Sequence, residues 1–266
     1  YKIITYIRKN KIDIVHTHTI NMQIWGSIAA KLTGRKIIEH VHDHRYVAPD
    51  ECRKARYIGR HYYYMKYFLK LSDAVIVLTE GNIDCIRRNN YYPDRKVKKI
   101  LNGIPVENLQ KPDEDKKKIF KKNFGLSPDS KVILTHCRIS PGKNIDLIMR
   151  IAPRLCRDYA DIIFLIAGDG PLYDKFVKEC KEKKIDTCIR FIGFHPESHK
   201  LLSLADIYLF PSLLELHSLS ILEAMGMGLP VLISKDVGSN NDCITSWQEG
   251  VLLDPFSDAV WIEAIL

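Results

Sequence analysis

The chain has 266 residues, 46% apolar and 27% charged, with 40 Lys and Arg against 32 Asp and Glu for a net charge of +8. That length holds two compact α/β domains, and the apolar share excludes a disordered chain. No apolar stretch reaches the ~18 residues that span a bilayer, and the first residues do not read as a secretory signal.

The chain opens on "YKIITYIRKNK", which reads as the end of a helix. Strands are then predicted at 11–18, 36–42, 73–79 and 97–101, and again at 131–137, 161–168, 189–193, 206–210, 230–234 and 250–254. Several are continuously apolar and β-branched, the pattern of parallel strands buried on both faces. Helical patterns fill the gaps, among them 144–156 and 171–184; the latter starts on Pro171 and ends in lysines, as the helix dipole favours. This alternation predicts two doubly wound, Rossmann-like α/β domains. The polar run 106–118 marks the junction, giving an N-terminal domain 1–111 and a C-terminal domain 112–266. The sequence stops at "DAVWIEAIL", partway into a helical pattern, so a preceding first strand and closing helices are expected outside it.

Charge divides unevenly. Residues 1–111 carry 21 Lys and Arg against 10 Asp and Glu, and residues 112–266 carry 19 against 22. A basic first half points to an anionic partner: a phosphorylated substrate, a membrane surface or nucleic acid. Seven cysteines are scattered singly with no CxxC pair, which predicts reduced thiols in a cytoplasmic protein.

Ligands of open parallel sheets bind beyond the carboxyl ends of the strands. Three such loops attract attention. "RISPGKN" (138–144) offers Arg138 and Lys143; "GDGP" (168–171) offers Gly168 and Gly170 at a helix start; "PSLLELHSLS" (211–220) offers Glu215 ahead of the helix that carries Glu223. Cations and helix N-termini suit phosphate oxygens, and carboxylates accept from vicinal diols. Either cation alone reads as a solvated surface charge; three such loops together read as a site for a phosphate-bearing, hydroxyl-rich ligand. A hydrolytic pair is excluded by spacing. Eight helical residues separate the two glutamates by ~12 Å, beyond the ~5–5.5 Å of retaining and the ~9.5 Å limit of inverting hydrolysis.

These residues resemble the group 1 (family 4) retaining glycosyltransferases of the two-domain GT-B fold, in which two Rossmann-like parallel-sheet domains face a cleft. The signs are "DIVHTH" (13–18), "SDAVIVLTE" (72–80), "ILNGIPVE" (100–107), "RISPGKN", "LIAGDGP" (165–171), "RFIGF" (190–194), "ADIYLFPS" (205–212), E-x7-E (215–223) with "AMGMGLPV" (224–231), and "EGVLLDP" (249–255). The resemblance implies transfer of a hexose from a nucleotide-diphosphate sugar, UDP- ahead of GDP-, to a glycan or lipid-linked acceptor in polysaccharide or glycoconjugate synthesis. It implies no cofactor and no metal, the nucleotide sugar being a co-substrate. It assigns Arg138 and Lys143 to the diphosphate, Glu215 to the sugar hydroxyls, Glu223 to the ribose diol, and the backbone near Gly193 and Phe194 to the base. Gly168, Gly170, Ser218, Leu219 and Ser220 complete the donor side; His42 faces sugar and acceptor, and His18 and Asn102 lie on the acceptor side. The family commonly has glycine within the E-x7-E loop, where this chain has Leu216, His217, Ser218, Leu219 and Ser220. Ser218 or Ser220 is expected to cap the helix or donate a hydroxyl.

Two other readings compete. One is a nucleotide-sugar-binding protein without turnover, kept open by that altered loop. The other is a zinc hydrolase: His16 and His18, then His40, His42 and His44, have metal-ligand spacing, and "HVHDHR" resembles the H-x-H-x-D-H of metallo-β-lactamase-like hydrolases. That fold needs antiparallel, alternating strands, and His136, His195, His199 and His217 supply no matching later ligands. In the glycosyltransferase reading His16, His40 and His44 are structural or surface residues. The segment "RKARYIGRHYYYMKYFLKLS" (53–72) is basic and rich in aromatics; it reads equally as a membrane-interface helix at the acceptor side and as an ordinary helix against the sheet. No nucleic-acid module is recognised, so nucleic acid is not expected as a partner, and the protein is placed in the cytoplasm or at the inner face of a membrane.

Overall fold

The computed structural model describes residues 1–18, 20–42, 69–88, 92–107 and 109–266. They divide into two compact units, Tyr1–Asn102 and Gly103–Leu266.

The first unit contains α1 (Lys2–Lys9), β1 (Ile14–His18), α2 (Ile20–Thr33), β2 (Lys36–His40), β3 (Ala74–Val77), α3 (Glu80–Arg88) and β4 (Val97–Lys99). Its four strands are parallel in the order β1-β2-β3-β4. Val41, Val75, Val77, Cys85, Ile86 and Tyr92 form its core. Strand periodicity sorts β1 by face. Thr17 turns towards α2, where a Cβ on Gly26 would lie 2.4 Å from its methyl. His16 and His18 turn the other way, in register with Ile38 and His40. Glu39 is buried with its carboxylate accepting from the hydroxyls of Ser72 (3.1 Å) and Tyr92. Such pairing is what makes a buried carboxylate tolerable.

The second unit runs α4 (Glu114–Asn123), β5 (Lys131–His136), α5 (Ile145–Asp158), β6 (Ile162–Ala167), α6 (Tyr173–Glu182), β7 (Ile189–Gly193), α7 (Ser198–Leu204), β8 (Ile207–Phe210), α8 (Leu219–Gly226), β9 (Val231–Ser234), α9 (Asn240–Cys243), β10 (Val251–Leu253) and α10 (Asp258–Ile265). Its six strands are all parallel, ordered β10-β9-β8-β5-β6-β7. Alternate residues feed two cores. Ile133, Phe164, Ile166, Leu209, Leu232 and Trp261 pack on one face, and Val132, Leu134, Leu165, Tyr208, Phe210 and Ile233 on the other. Burial on both faces is why these strands read as unbroken apolar runs. Trp261 is fully buried and donates to the Asp254 carbonyl at 2.8 Å.

Two features depart from the sequence reading. The units part at Asn102/Gly103, ahead of the 111/112 junction, because Ile104 and Leu109 pack on α8: a Cβ on Gly226 would lie 2.7 Å from Leu109 Cδ1 and 3.3 Å from Ile104 Cδ1. The expectation of reduced thiols is also corrected for one pair, since Cys156 at the end of α5 and Cys188 ahead of β7 form a disulfide. Cys137, Cys180 and Cys243 form no disulfide; Cys52 lies outside the described residues. The basic aromatic segment falls outside them as far as residue 68, as does His44. Among the described residues no helix is long and apolar enough to cross a membrane.

Candidate functional site

The strand order of the second unit reverses between β5 and β8: β6 and β7 extend from one side of β5, and β8 to β10 from the other. Loops leaving two such strands part to opposite sides and leave a crevice at the carboxyl edge of the sheet. Here those loops are 137–144 and 211–218. The carbonyl of Gly142 joins them, accepting from Leu213 N (2.8 Å), Leu214 N (3.2 Å) and the Ser212 hydroxyl (2.9 Å).

In this crevice the Lys143 ammonium donates to Glu215 Oε2 and sits 5.1 Å from the centroid of the Phe210 ring. Both partners are largely buried, with side-chain exposures of 18% and 15%. Arg138 leaves the same loop exposed, and among the described residues it has no ion pair or hydrogen bond. Lys143 is presented by a single tight turn over Pro141–Lys143, after which Asn144, at φ +52°, anchors its amide on the Pro255 carbonyl and starts α5.

The E-x7-E segment is helical only from Leu219 onward. Glu215 therefore sits in the loop, and the ~12 Å separation expected of a continuous helix does not apply. Ser218 occupies the N-cap position of α8 but does not cap it; its hydroxyl meets that of Ser220 at 2.9 Å. This corrects the expected serine cap and leaves the first-turn amides of α8 without a side-chain acceptor, an arrangement suited to an anion. Glu223 projects from α8 half-buried. The end of β5 feels all three charged residues. Burial pushes the Cys137 thiol up to about 12, with Lys143 opposing and Glu215 reinforcing. Burial holds His136 below its ordinary value against the pull of Glu223, with His195 pushing the same way.

Gly168 and Gly170 line this edge for a steric reason. Gly168 has φ +132°, and a Cβ there would lie 1.8 Å from the Cys137 carbonyl oxygen; at Gly170 it would lie 2.3 Å from that of Ile139. The β6 loop thus presses on the β5 loop, backbone to backbone, with Ile139 N donating to the Asp169 carbonyl at 2.9 Å. Phe194 follows Gly193 at the end of β7 and is 73% exposed.

Sequence reasoning missed the supports beneath these residues. Ser212 ties the two loops together, and Ser239 holds the Leu216 carbonyl through both its N–H (2.8 Å) and its hydroxyl (2.7 Å). His217, buried, meets Cys243 at 3.3 Å. No sequence signal marked the Ser239 and His217 contacts, which join loops more than twenty residues apart. Leu219 and Ser220 open α8 at the same edge.

The acceptor-side expectations fall in the first unit. His18 Nδ1, on the last residue of β1, and His42 Nε2, two residues past β2, lie 2.9 Å apart. Burial, together with the neighbouring imidazoles of His18 and His16, lowers the pKa of His42. Asn102 ends the unit, half-buried. The parallel strands that carry these histidines contradict the antiparallel scaffold a metallo-β-lactamase-like hydrolase requires, and that reading is set aside.

Residues 116–266 match the family model of glycosyl transferases group 1, and residues 1–108 match that of glycosyltransferase family 4. The chain belongs to the group 1 glycosyl transferases. Relatives within this group include the UDP-Gal:alpha-D-GlcNAc-diphosphoundecaprenol alpha-1,3-galactosyltransferase of Escherichia coli, 28% identical over 93% of this chain and 64% of its own length. The alpha-D-kanosaminyltransferase of Streptomyces kanamyceticus is 24% identical over 90% of this chain and 62% of its own length. The chain thus spans less than two thirds of these curated relatives. Among solved structures, Anabaena HepE in complex with UDP-glucose superposes with a TM-score of 0.81 at 17% identity, over 99% of this chain and 70% of that one. Sucrose-phosphate synthase of Thermosynechococcus elongatus gives 0.76 at 19% identity, over 98% and 65%. These likenesses show the fold: two Rossmann-like parallel-sheet units of the GT-B class, as group 1 glycosyl transferases have.

Proposed function

We propose that this chain belongs to a retaining hexosyltransferase whose second unit binds a nucleotide-diphosphate sugar, with a UDP-sugar as donor and a glycan or lipid-linked acceptor. The observation that carries this is the Lys143–Glu215 ion pair at the strand-order reversal, beside the exposed Arg138 and the uncapped N-terminus of α8. The pair holds two charges ready in a largely buried place. A diphosphate arriving here takes Lys143 and Arg138 as counter-charges, and Glu215 is released to accept from hydroxyls of the hexose. Glu223, one helix further in, accepts from the ribose diol, and Phe194 offers an exposed ring and backbone near the base.

In the transfer the bond from the anomeric carbon to the diphosphate oxygen breaks while the acceptor oxygen bonds the same face. The departing phosphate takes the acceptor proton. Negative charge grows on that phosphate, and Arg138, Lys143 and the α8 amides stabilise it, so the site requires no metal for this step. His42, in contact with His18, belongs to the acceptor side of this reading. A lipid-linked acceptor would bring the protein to the inner membrane surface.

The test is a panel of UDP- and GDP-sugars assayed for thermal stabilisation and for donor consumption, with Arg138→Ala in parallel. The reading expects one donor class to raise the melting temperature of the wild type and Arg138→Ala to abolish most of that rise. Stabilisation without consumption favours a nucleotide-sugar-binding protein. No response to any donor, or an equal response in the variant, removes the phosphate site.

A further inference from the structure

A second polar centre lies in the first unit, on the sheet face turned away from α2. Among the described residues it is built only of imidazoles. The rings of His16 and His18 have centroids 4.3 Å apart, those of His40 and His42 are 4.0 Å apart, and His18 lies 5.1 Å from both His40 and His42. One ring nitrogen from each of His16, His18 and His40 falls within 4.8 Å of the other two. His40 is the telling member. Both its nitrogens are shut off from solvent, and neither has a hydrogen-bond partner among the described residues. An unpaired buried polar atom is costly, and here there are two on one ring. Packing does not account for this. The face is open at His16 and His18, so an apolar side chain at 40 would fill the place without the penalty.

We propose that His16, His18 and His40 bind a divalent transition cation, with His42 as the residue that positions His18. The nearby carboxylate, Glu39, points to the opposite face and is held by Ser72 and Tyr92, so among the described residues the centre offers imidazole nitrogen alone. Such a donor set selects zinc, nickel, copper or cobalt and disfavours magnesium and calcium, which seek oxygen. Tetrahedral nitrogens ~2.0–2.1 Å from zinc stand about 3.3 Å from one another. Side-chain rotations of an ångström or so close the present spacing to that value. The contact between His18 Nδ1 and His42 leaves Nε2 of His18 for the cation, and an oriented outer ring of this kind is what metal-bound imidazoles commonly have. Three protein ligands leave a coordination position for water or an oxygen of a bound molecule. The centre shares His18 and His42 with the acceptor side of the transfer reading, but it does not rest on donor binding in the second unit, and no transfer step passes through the cation.

The experiment uses the tag-free chain, stripped with a chelator and dialysed. Zinc is titrated by calorimetry, cobalt by its visible absorption, and magnesium serves as the competitor. The expected result is one zinc per chain, a cobalt spectrum of nitrogen coordination, and no displacement by excess magnesium. His16→Ala and His40→Ala each weaken zinc by well over tenfold, and His42→Ala weakens it by about tenfold. Zinc also raises the melting temperature of the wild type and not that of His16→Ala. Because His16 is exposed, that variant keeps its fold by circular dichroism and decides the matter even where His40→Ala does not fold. Absence of stoichiometric zinc, or equal affinity in His16→Ala, overturns the proposal. Neither outcome bears on donor binding at Arg138, so the two proposals fail separately.

Discussion

At the scale of single residues, Lys143 and Glu215 illustrate a charge pair that serves two states. Removing either one strands a largely buried charge. Lys143→Met and Glu215→Gln should each lower stability by about 2 kcal/mol, and the double variant should recover most of it. Turnover should stay at least about a hundredfold down in all three, because the first loses a counter-charge at the phosphate, the second a charged acceptor for the hexose hydroxyls, and the double variant both. Chemical denaturation and a donor-consumption assay read the two effects separately. Recovery of turnover together with stability would reduce the pair to a structural role. Asp206 provides a second case, away from the site. It accepts from Lys117 (2.7 Å), Lys121 (3.0 Å) and Val132 N (2.8 Å), which binds α4 to the start of β8. Burial raises its pKa, but the two ammonium groups and the amide outweigh that, so the net shift lies below the ordinary 3.8. A depressed folded value means the stabilisation is complete above the ordinary pKa and vanishes as pH falls through the lower one. Asp206→Ala should therefore cost about 3 kcal/mol at neutral pH, and its stability should lack the steep loss below pH ~4 that the wild type shows in acid unfolding.

At the scale of elements, the strands were legible and the supports were not. All ten predicted strands form; β5, β6 and β9 are apolar because they are buried on both faces and so cannot be mistaken for surface helices. The run "DEDKKK" was assigned to a linker, yet Glu114–Asn123 is helix α4, and its Lys117 and Lys121 are buried. Lysine stems cover apolar surface while the ammonium finds Asp206, so a charged run conceals an inward face that only a partner some 85 residues later reveals. The site loops were found by their place after strands, whereas Ser212, Ser239 and His217, which hold those loops, carried no pattern. The glycines of "GDGP" were noticed as a helix start, but their necessity lies in the β5 loop against them. Gly168→Ala should cost about 3 kcal/mol, since both φ and the Cys137 carbonyl oppose a Cβ. Gly34→Ala, at φ +69° with nothing within 4 Å, should cost only about 1 kcal/mol. Equal losses in thermal or denaturant melts would show that the close approach contributes nothing beyond backbone strain.

At the scale of the whole molecule, the two units carry different groups: the Lys143–Glu215 pair at the strand-order reversal in the second, and an imidazole cluster in the first. The second unit is anchored by large buried rings, and Trp261→Ala should lower its stability by about 3–5 kcal/mol in a denaturant melt that leaves first-unit probes unchanged. The reversal between β5 and β8 also has a bearing on how the protein emerges from the ribosome. The first three strands of the second sheet, β5 to β7, pair in order as they are made, while the other flank of β5 stays uncovered until β8 follows, with Thr135 reaching the Leu209 carbonyl across 74 residues. A nascent chain halted after β7 would own half a sheet and a bare edge, but neither Glu215 nor the second wall of the crevice. Ligand-binding competence thus arrives late and all at once, and arrested chains of this length are the ones that should need a chaperone.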